Sequence, residues 1–367
     1  MNTDSQPWKN NGWLTQFHAE CDACGLPHEP MERLLDWLSI DSTTGAEAAF
    51  LTALQIDLQG AGLHTSRQEV ATNRWNLWAL PDDPSEVLLC THVDTVPPHF
   101  GPSFLDGALL ARGACDTKGG LAAMWIAWQR LPDEVRRKTG FLLVVGEEVD
   151  HIGALTASPA LPDSLRAIVL CEPTQNRLAR GQKGIVKVRL RARGVAGHSA
   201  FPETGESAIH RLVQACDRLL SETWPVDPTL GPTTLNIGTF QGGLAANVFA
   251  PEAEAEVLFR AVTPAHGLWH QVCQVVGAEV DCHNECQNDP ARLLTFAGFE
   301  TDVVPFNTDA PYLQARGVPV VLVGPGDIRC AHSPREHIYL TDLARGVDIY
   351  VRIVTGIVRH DLGATSP

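Results

Sequence analysis

The chain has 367 residues, of which 44% are hydrophobic and 19% charged, and its formal net charge is −15. This length fits two domains better than one simple core. The acidic balance argues against nucleic-acid binding, which needs a basic surface facing the phosphates. No apolar stretch reaches the length that spans a bilayer, and the first residues lack the pattern of a signal peptide. We therefore expect a cytoplasmic protein without membrane contact.

Residues 1–30 are polar and are interpreted as an added N-terminal arm, and helical spacing of apolar residues begins at Met31. Continuous apolar runs then cover 87–90, 141–145, 167–170 and 318–323. Such runs are typical of strands that are buried on both faces. Helical stretches, for example 121–130, lie between them. The alternation predicts an α/β domain with a doubly wound, mostly parallel sheet.

The middle of the chain has a different pattern, because residues 185–193 alternate between apolar and basic side chains. This alternation predicts a strand with one buried face. The predicted elements that follow are a helix at 206–220, strands at 234–240 and 252–261, a helix at 264–276 and a strand at 279–282. Their order matches the split βαβ unit. We predict an inserted ferredoxin-like α+β domain at 183–291, within a catalytic domain made of residues 1–182 and 292–367.

Polar side chains follow three of the predicted strands: His92 and Asp94, Glu147 and Glu148, and Glu172. Ligands of α/β proteins gather beyond the carboxyl ends of such strands. Asp116 lies in a glycine-rich turn, and His332 follows the last strand. So many acids beside buried strands need counter-charge, because unpaired buried charge is costly. Carboxylates and imidazoles bind divalent metals, so the sequence predicts a two-metal site.

Ten cysteines are present, and reduced thiols are expected in a large chain without an export signal. Four cysteines adjoin the polar motifs and are predicted to be small buried packing residues: Cys90, Cys115, Cys171 and Cys330. The isolated Cys21/Cys24 and Cys282/Cys286 pairs give little support to a structural zinc or redox site.

Six motifs resemble those of the co-catalytic zinc hydrolases that include acetylornithine deacetylase, succinyl-diaminopimelate desuccinylase, aminoacylase and related carboxypeptidases and dipeptidases. They run in family order between residue 31 and the C-terminus: Thr91-His92-Val93-Asp94, Arg112-Gly113-Ala114-Cys115-Asp116, Gly146-Glu147-Glu148, Glu172-Pro173-Thr174, Gly197-His198-Ser199-Ala200 and Ala331-His332-Ser333-Pro334. The resemblance implies a homodimer formed through the inserted domain. It also implies two metal ions, with zinc expected and cobalt or manganese as alternatives.

The resemblance also implies a role for each site residue. Asp116 would bridge the two ions, His92 and Glu172 would complete one ion, and Glu148 and His332 the other. Asp94 would accept the imidazole N–H of His92. Glu147 would be the general base that takes a proton from a metal-activated water and returns it to the leaving amine.

Residues of the inserted domain would complete the site. By the same resemblance, His198 would stabilise the oxyanion in the partner's site, and Asn247 and Arg260 would hold polar groups of the substrate. Arg260 suits a carboxylate, because its planar fork donates two parallel hydrogen bonds. Relatives usually carry Asp two residues before this arginine, where this chain has Leu258.

The stretch 307–312, with Gly324-Pro325-Gly326 after it, resembles the acetylornithine and acetylcitrulline deacetylase branch. Gly324 and Gly326 would let the backbone approach the ligand closely. Asp309 would contact the substrate or cap a helix. These features favour removal of an acetyl or small acyl group from an N-acyl L-amino acid, and a place in arginine biosynthesis.

Several alternatives remain open. Within the same family they are a desuccinylase, a metallodipeptidase or carboxypeptidase, and a hydrolase of a carrier-protein-linked amino acid. A metal-binding scaffold without activity is disfavoured by Glu147, since a structural metal site needs no free base beside it. A nucleotide-binding protein is disfavoured because no glycine-rich phosphate loop follows a predicted strand.

Overall fold

The computed structural model describes residues 8, 9 and 11–365. Its helices, in chain order, are α1 (Leu14–Cys24), α2 (His28–Leu38), α3 (Ala48–Gly60), α4 (Lys118–Arg130), α5 (Asp133–Arg136), α6 (Ile152–Ala157), α7 (Ala208–Ser221), α8 (Ala265–Val276), α9 (Ala310–Leu313) and α10 (Leu340–Arg359). Short 3-10 turns cover Ser158–Ala160, Pro202–Thr204, Gln314–Arg316 and Ile328–Cys330. None of these helices combines the length and apolar character that a bilayer-spanning helix requires.

The strands of the described residues, in chain order, are β1 (His64–Ala71), β2 (Arg74–Leu80), β3 (Val87–His92), β4 (Ser103–Leu105), β5 (Ala108–Leu110), β6 (Thr139–Val144), β7 (Ala167–Leu170), β8 (Leu178–Gln182), β9 (Gly184–Arg193), β10 (Val226–Asp227), β11 (Gly231–Pro232), β12 (Thr234–Gly242), β13 (Glu252–Ala261), β14 (Val280–Asn288), β15 (Ala291–Arg292), β16 (Thr295–Phe296), β17 (Thr301–Val304), β18 (Val320–Leu322), β19 (His337–Tyr339) and β20 (Ala364–Thr365).

The described chain divides into two compact units. The first comprises the residues up to Arg180, Leu293–Asp302 and the residues from Thr308 onward. The second comprises Gly181–Arg292 and Val303–Asn307, and it contains the whole predicted insertion at 183–291.

The first unit is built on a six-stranded sheet in the order β1-β2-β6-β3-β7-β18. Strands β6, β3, β7 and β18 are parallel, and the β1-β2 hairpin adds an antiparallel edge. Every residue of β3, β6, β7 and β18 is buried, as expected for parallel strands with both faces covered. The predicted α/β fold is confirmed.

The N-terminal region is part of this core. Phe17 and Cys21 of α1 are fully buried. The Phe17 ring packs edge-on against the Phe104 ring, with the ring centroids 5.4 Å apart. Within residues 11–30, the chain is therefore a packed helical segment and not an appended arm. Residues 1–7 and 10 of the predicted arm lie outside the described residues.

The second unit has the predicted β-α-β-β-α-β order, in the elements β9, α7, β12, β13, α8 and β14. Its antiparallel sheet has the order β12-β13-β9-β14, and the apolar faces of α7 and α8 pack on the sheet. The other face of β9 is basic as predicted, and its cations pair with acids on neighbouring strands: Arg189 with Glu256 at 3.0 Å and Arg191 with Glu254 at 2.6 Å.

Candidate metal centre

Three adjacent strands deliver acidic and histidine side chains to one edge of the sheet in the first unit. Strand β3 ends at His92, and Gly146-Glu147-Glu148 follows β6. Glu172 follows the end of β7. Because the three strands are parallel neighbours in register, with His92 opposite Val144, their carboxyl ends lie together.

The Asp116 carboxylate lies between two histidines. Its Oδ1 is 3.0 Å from His92 Nε2, and its Oδ2 is 3.3 Å from His332 Nε2. His332 Nε2 is also 3.0 Å from Glu148 Oε2. Ligand atoms of His92, Asp116 and Glu148 all lie within 4.8 Å of one another, as a metal site requires. Each oxygen of Asp116 faces a different histidine, so this carboxylate has the orientation needed to serve two cations.

The cluster holds more carboxylates than its histidines balance. Burial raises the pKa of Glu147 and of Glu172 well above the usual value, and the negative charges around them raise it further. Glu172 Oε1 is buried without a hydrogen-bond partner in the described part of the chain. An orphaned carboxylate oxygen is costly in a protein interior, and a divalent cation offsets that cost. The donor set of carboxylates and imidazoles therefore fits a metal centre.

The negative charge of these carboxylates raises the pKa of both histidines. Hydrogen bonds to Asp116 and Glu148 raise the pKa of His332 to about 10. Burial opposes the charged form of His92, but Asp116 and Asp94 outweigh it, so the pKa of His92 is also raised. Protons and metal ions therefore compensate the same carboxylates, and we expect metal binding to release protons.

Asp94 has a different hydrogen-bond pattern from the predicted one. His92 Nδ1 donates to the backbone carbonyl of Asp94 at 3.0 Å, and the Asp94 carboxylate lies 3.7 Å away. That carboxylate instead accepts backbone N–H groups: Gly146 at 2.9 Å, Glu147 at 3.2 Å and Glu148 at 3.3 Å. Asp94 thus fixes the turn that carries the two glutamates.

Gly324 and Gly326 pack tightly against other segments of the chain. Both are buried, and they lie against the protein itself. A Cβ on Gly324 would lie 2.5 Å from the Glu172 carbonyl oxygen, and one on Gly326 would lie 2.7 Å from Cys115 Sγ. Where a Cβ would stand, both glycines therefore lie close to segments that carry Glu172 and Asp116, and their contact with a ligand stays a prediction.

Asp309 does not cap a helix through its side chain. It is 1% exposed, and at the N-cap position of α9 its side chain accepts no backbone N–H. His151 Nδ1 donates to Asp309 Oδ1 at 2.9 Å. The helix-cap interpretation of Asp309 is therefore wrong, because its carboxylate accepts from His151 instead, and its contact with the substrate stays a prediction.

The three remaining predicted residues lie in the second unit. His198 and Asn247 are exposed, and the backbone N–H of Ser199 donates to the Asn247 carbonyl at 3.0 Å. Arg260 is half-buried, and burial lowers its pKa. Among the described residues, no carboxylate lies within ion-pair distance of Arg260, and position 258, two residues earlier on the same strand, is a leucine.

Comparison with known proteins places this chain in a family. Residues 180–272 match the family model described as a peptidase dimerisation domain. A peptidase M20 domain-containing protein of Schizosaccharomyces pombe is 35% identical over 328 residues, which are 86% of this chain and 82% of that protein. The chain belongs to the M20 peptidase family. It is accordingly an enzyme, a metal-dependent hydrolase of amide bonds, as the sequence predicted.

Other M20 relatives and structures agree with this membership. A probable carboxypeptidase of Aspergillus niger is 32% identical over 372 residues, covering 89% of each chain. The crystal structure of a tripeptidase from Staphylococcus aureus has a TM-score of 0.75 at 24% identity, and the match covers 89% of this chain and 97% of that one. M20 peptidases are dinuclear metal enzymes. None of these relatives supports the acetylornithine branch in particular.

Sequence reasoning missed three residues around the M20 centre: Arg112, His151 and Glu336. Arg112 and Glu336 form a buried ion pair, and His151 lies beside Glu147. Arg112 belongs to a recognised motif, Glu336 lies two residues after another, and His151 stands four residues after Glu147 in the turn before α6. Their proximity was the only available signal, because their partners are distant in sequence.

All ten cysteines of this M20 peptidase are free. Cys90, Cys115 and Cys171 are buried, as predicted for packing residues, and Cys330 is half-buried. The Cys21/Cys24 and Cys282/Cys286 pairs form no disulfides.

Proposed function

We propose that the protein is a dinuclear metallocarboxypeptidase that removes the C-terminal residue from short peptides. The observation that carries its metal-dependent chemistry is the Asp116 carboxylate with one oxygen toward His92 and the other toward His332. In this proposal Asp116 would be shared by the two ions, His92 and Glu172 would hold one, and Glu148 and His332 would hold the other. Zinc is the expected metal, and cobalt and manganese are the alternatives.

Two divalent cations supply Lewis acidity, which activates water and polarises the scissile carbonyl. The chain's own contribution is the proton transfer. Glu147 is adjacent to Glu148 but is not assigned to a metal, so its carboxylate is available to accept the proton of the attacking water and deliver it to the leaving amine. The Asp94 carboxylate accepts the N–H groups of the turn that contains Glu147. These bonds fix the backbone position from which the Glu147 side chain extends.

Arg260 supports the choice of a carboxypeptidase. A half-buried guanidinium without a carboxylate partner is unusual, because burial of an unpaired cation is costly. The C-terminal carboxylate of a peptide would supply the missing partner with two parallel hydrogen bonds. Lys183 is a second buried cation. Burial and the positive charge of Arg260 both lower the pKa of Lys183. The probable carboxypeptidase of Aspergillus niger is consistent with this proposal.

We further propose that the protein is a homodimer, as the matched dimerisation model suggests. Strand β12 is an edge of the second unit's sheet, and an edge strand is a ready surface for pairing between chains. His198 and Asn247 are proposed to contact the substrate, with His198 stabilising the oxyanion in the partner's site. His198→Ala would then lower kcat sharply while the metal content stays unchanged.

The experiment is amine release by the zinc-loaded protein on substrates that separate the alternatives. Hydrolysis of N-acetylated peptides with a free C-terminal carboxylate would indicate a carboxypeptidase. Hydrolysis of C-terminally amidated peptides with a free amine would indicate an aminopeptidase. N-acetylornithine and N-succinyl-diaminopimelate report the deacetylase and desuccinylase interpretations. Glu147→Gln is the inactive control, and Glu69→Gln, an exposed glutamate on β1, is the matched surface control. Turnover of the amidated peptides alone would contradict a carboxypeptidase.

A further inference from the structure

His151 stands four residues after Glu147 and directly before α6. Its backbone φ is +56°, in the left-handed region that a non-glycine residue adopts at a cost. Strain of this kind persists where surrounding contacts hold it, and it is concentrated at functional positions. The residue is 9% exposed, so its imidazole is confined by its neighbours.

One nitrogen of His151 faces two carboxylates. Nδ1 lies 2.9 Å from Asp309 Oδ1 and 3.8 Å from Glu147 Oε1. The first distance is a hydrogen bond, in which the imidazole N–H donates. The second is too long for a hydrogen bond, but it places the positive edge of the ring against the Glu147 carboxylate. That carboxylate makes no hydrogen bond with any side chain or backbone group in the described ranges.

Among the described residues, the bond from His151 is the hydrogen bond that the Asp309 side chain makes. It caps no backbone group of α9, and its Oδ2 has no hydrogen-bond partner among the described residues. The Tyr312 ring lies 5.0 Å from the imidazole, centroid to centroid, and limits its rotation. A purely structural link between the starts of α6 and α9 would explain the bond to Asp309. It would not explain why the same nitrogen faces Glu147.

We propose that His151, oriented by Asp309, is a positioning residue for the Glu147 carboxylate. Asp94 fixes the backbone of Glu147, so the side-chain torsions are what remains to be set. The ring attracts the carboxylate and holds it in one orientation for proton transfer. Misplacement of a reacting group by about 1 Å costs on the order of 100-fold in rate. This inference rests on the proposed role of Glu147 as the general base.

The first test needs no activity. The Tm of the zinc-loaded protein, in which the bound cations keep Glu147 ionised, is measured for His151→Ala, Glu147→Ala, the double variant and the parent. We expect His151→Ala to lower Tm by about 2 °C or more beyond its effect in the Glu147→Ala background, because contacting residues are not additive. Equal effects in the two backgrounds would show that the residues do not interact and would overturn the proposal.

The second test separates positioning from folding. His151→Ala should lower kcat by about 10- to 100-fold, with KM and bound zinc unchanged. His151→Asn keeps an N–H donor near the position of Nδ1, so it should recover most of that loss. Asp309→Asn should lower kcat in the same direction. His64→Ala, at an exposed histidine of the same unit, is the matched control and should match the parent.

A loss expressed in KM or in metal content, or an equal loss in His151→Asn and His151→Ala, would contradict a positioning role. Failure of this inference is distinguishable from failure of the proposed function. A parent protein that turns over no peptide contradicts the proposed function, whereas the Tm comparison still decides whether His151 acts on Glu147.

Discussion

Arg112 Nη1 lies 2.5 Å from Glu336 Oε2, and both side chains are almost fully buried. The other oxygen of Glu336 accepts three backbone N–H groups: Gly113 at 2.9 Å, Cys115 at 3.2 Å and Asp116 at 3.1 Å. One carboxylate therefore holds the whole segment from Arg112 to Asp116 in place. The position of Asp116 depends on a residue 220 positions away.

Glu336→Gln should destabilise the protein and weaken metal binding together. The amide still accepts hydrogen bonds, but Arg112 becomes a buried cation without a counter-charge, which costs on the order of 3 kcal/mol. Thermal unfolding and zinc titration with a competing chelator measure the two effects. Glu134→Gln, which removes the exposed partner of Arg359, is the control and should change neither. Full zinc affinity in Glu336→Gln would show that the ion pair does not position Asp116.

Metal removal should lower both activity and Tm. A ligand that binds only the folded state stabilises it by about 2.7 kcal/mol at a concentration 100-fold above Kd. We therefore expect chelation to lower Tm and zinc addition to restore it, with proton release on binding. Asp116→Asn should lose this response, because both histidines face that carboxylate. Elemental analysis and calorimetry in two buffers of different ionisation enthalpy provide the measurements.

Arg260→Ala should raise KM for peptides with a free C-terminal carboxylate by about 10- to 100-fold. This is the effect expected when a charge-assisted pair of hydrogen bonds is lost. Amidated peptides, which lack that carboxylate, should be poor substrates of both proteins to a similar degree. Tm should not fall, because Arg260 has no carboxylate partner in the described structure. An unchanged KM for free peptides would exclude Arg260 as the residue that binds the carboxylate.

Lys118 should make stability depend on pH at alkaline values. Burial lowers its pKa from 10.5 to about 7, and its Nζ donates to the Trp37 and Ile40 carbonyls. Because the folded-state pKa is below the unfolded value, the unfolded chain binds more protons between about pH 7 and 10.5. The stability contributed by this group therefore rises with pH across that window.

Denaturant unfolding of the metal-free protein at several pH values measures this effect. Lys118→Met should lose the alkaline gain in the free energy of unfolding, and Lys138→Met, at a surface lysine paired with Glu86, should keep it. A gain of the same size in both variants would show that Lys118 is not its source.

The sheet was predictable where hydrophobic burial sets the strands. Strands β3, β6 and β7 are buried throughout, so continuous apolar runs identify them. The β1-β2 hairpin was missed because β1 is largely exposed and shows no apolar alternation. Strand β14 extends to Asn288, beyond the predicted end at residue 282, because backbone pairing with β9 continues it through polar residues.

The metal-binding candidates were predictable because each follows a strand or turn with its own local pattern. The residues that position these candidates were not predictable from the sequence. Glu336 acts on a segment more than 200 residues earlier, and His151 acquires its role only when Asp309 folds beside it. The local pattern also did not show that Gly324 and Gly326 pack against the segments of Glu172 and Cys115, because those segments are distant in sequence.

The bonds from Glu336 to the Asp116 segment also order events during synthesis. A growing chain makes Asp116, Glu148 and Glu172 long before it makes His332 and Glu336. Until those last residues emerge from the ribosome, the shared carboxylate has neither its second histidine nor the anchor of its own loop. On the proposed ligand set we therefore expect metal loading to be a late step, and a chain that stops short of residue 332 to carry most of the proposed ligands without a finished centre.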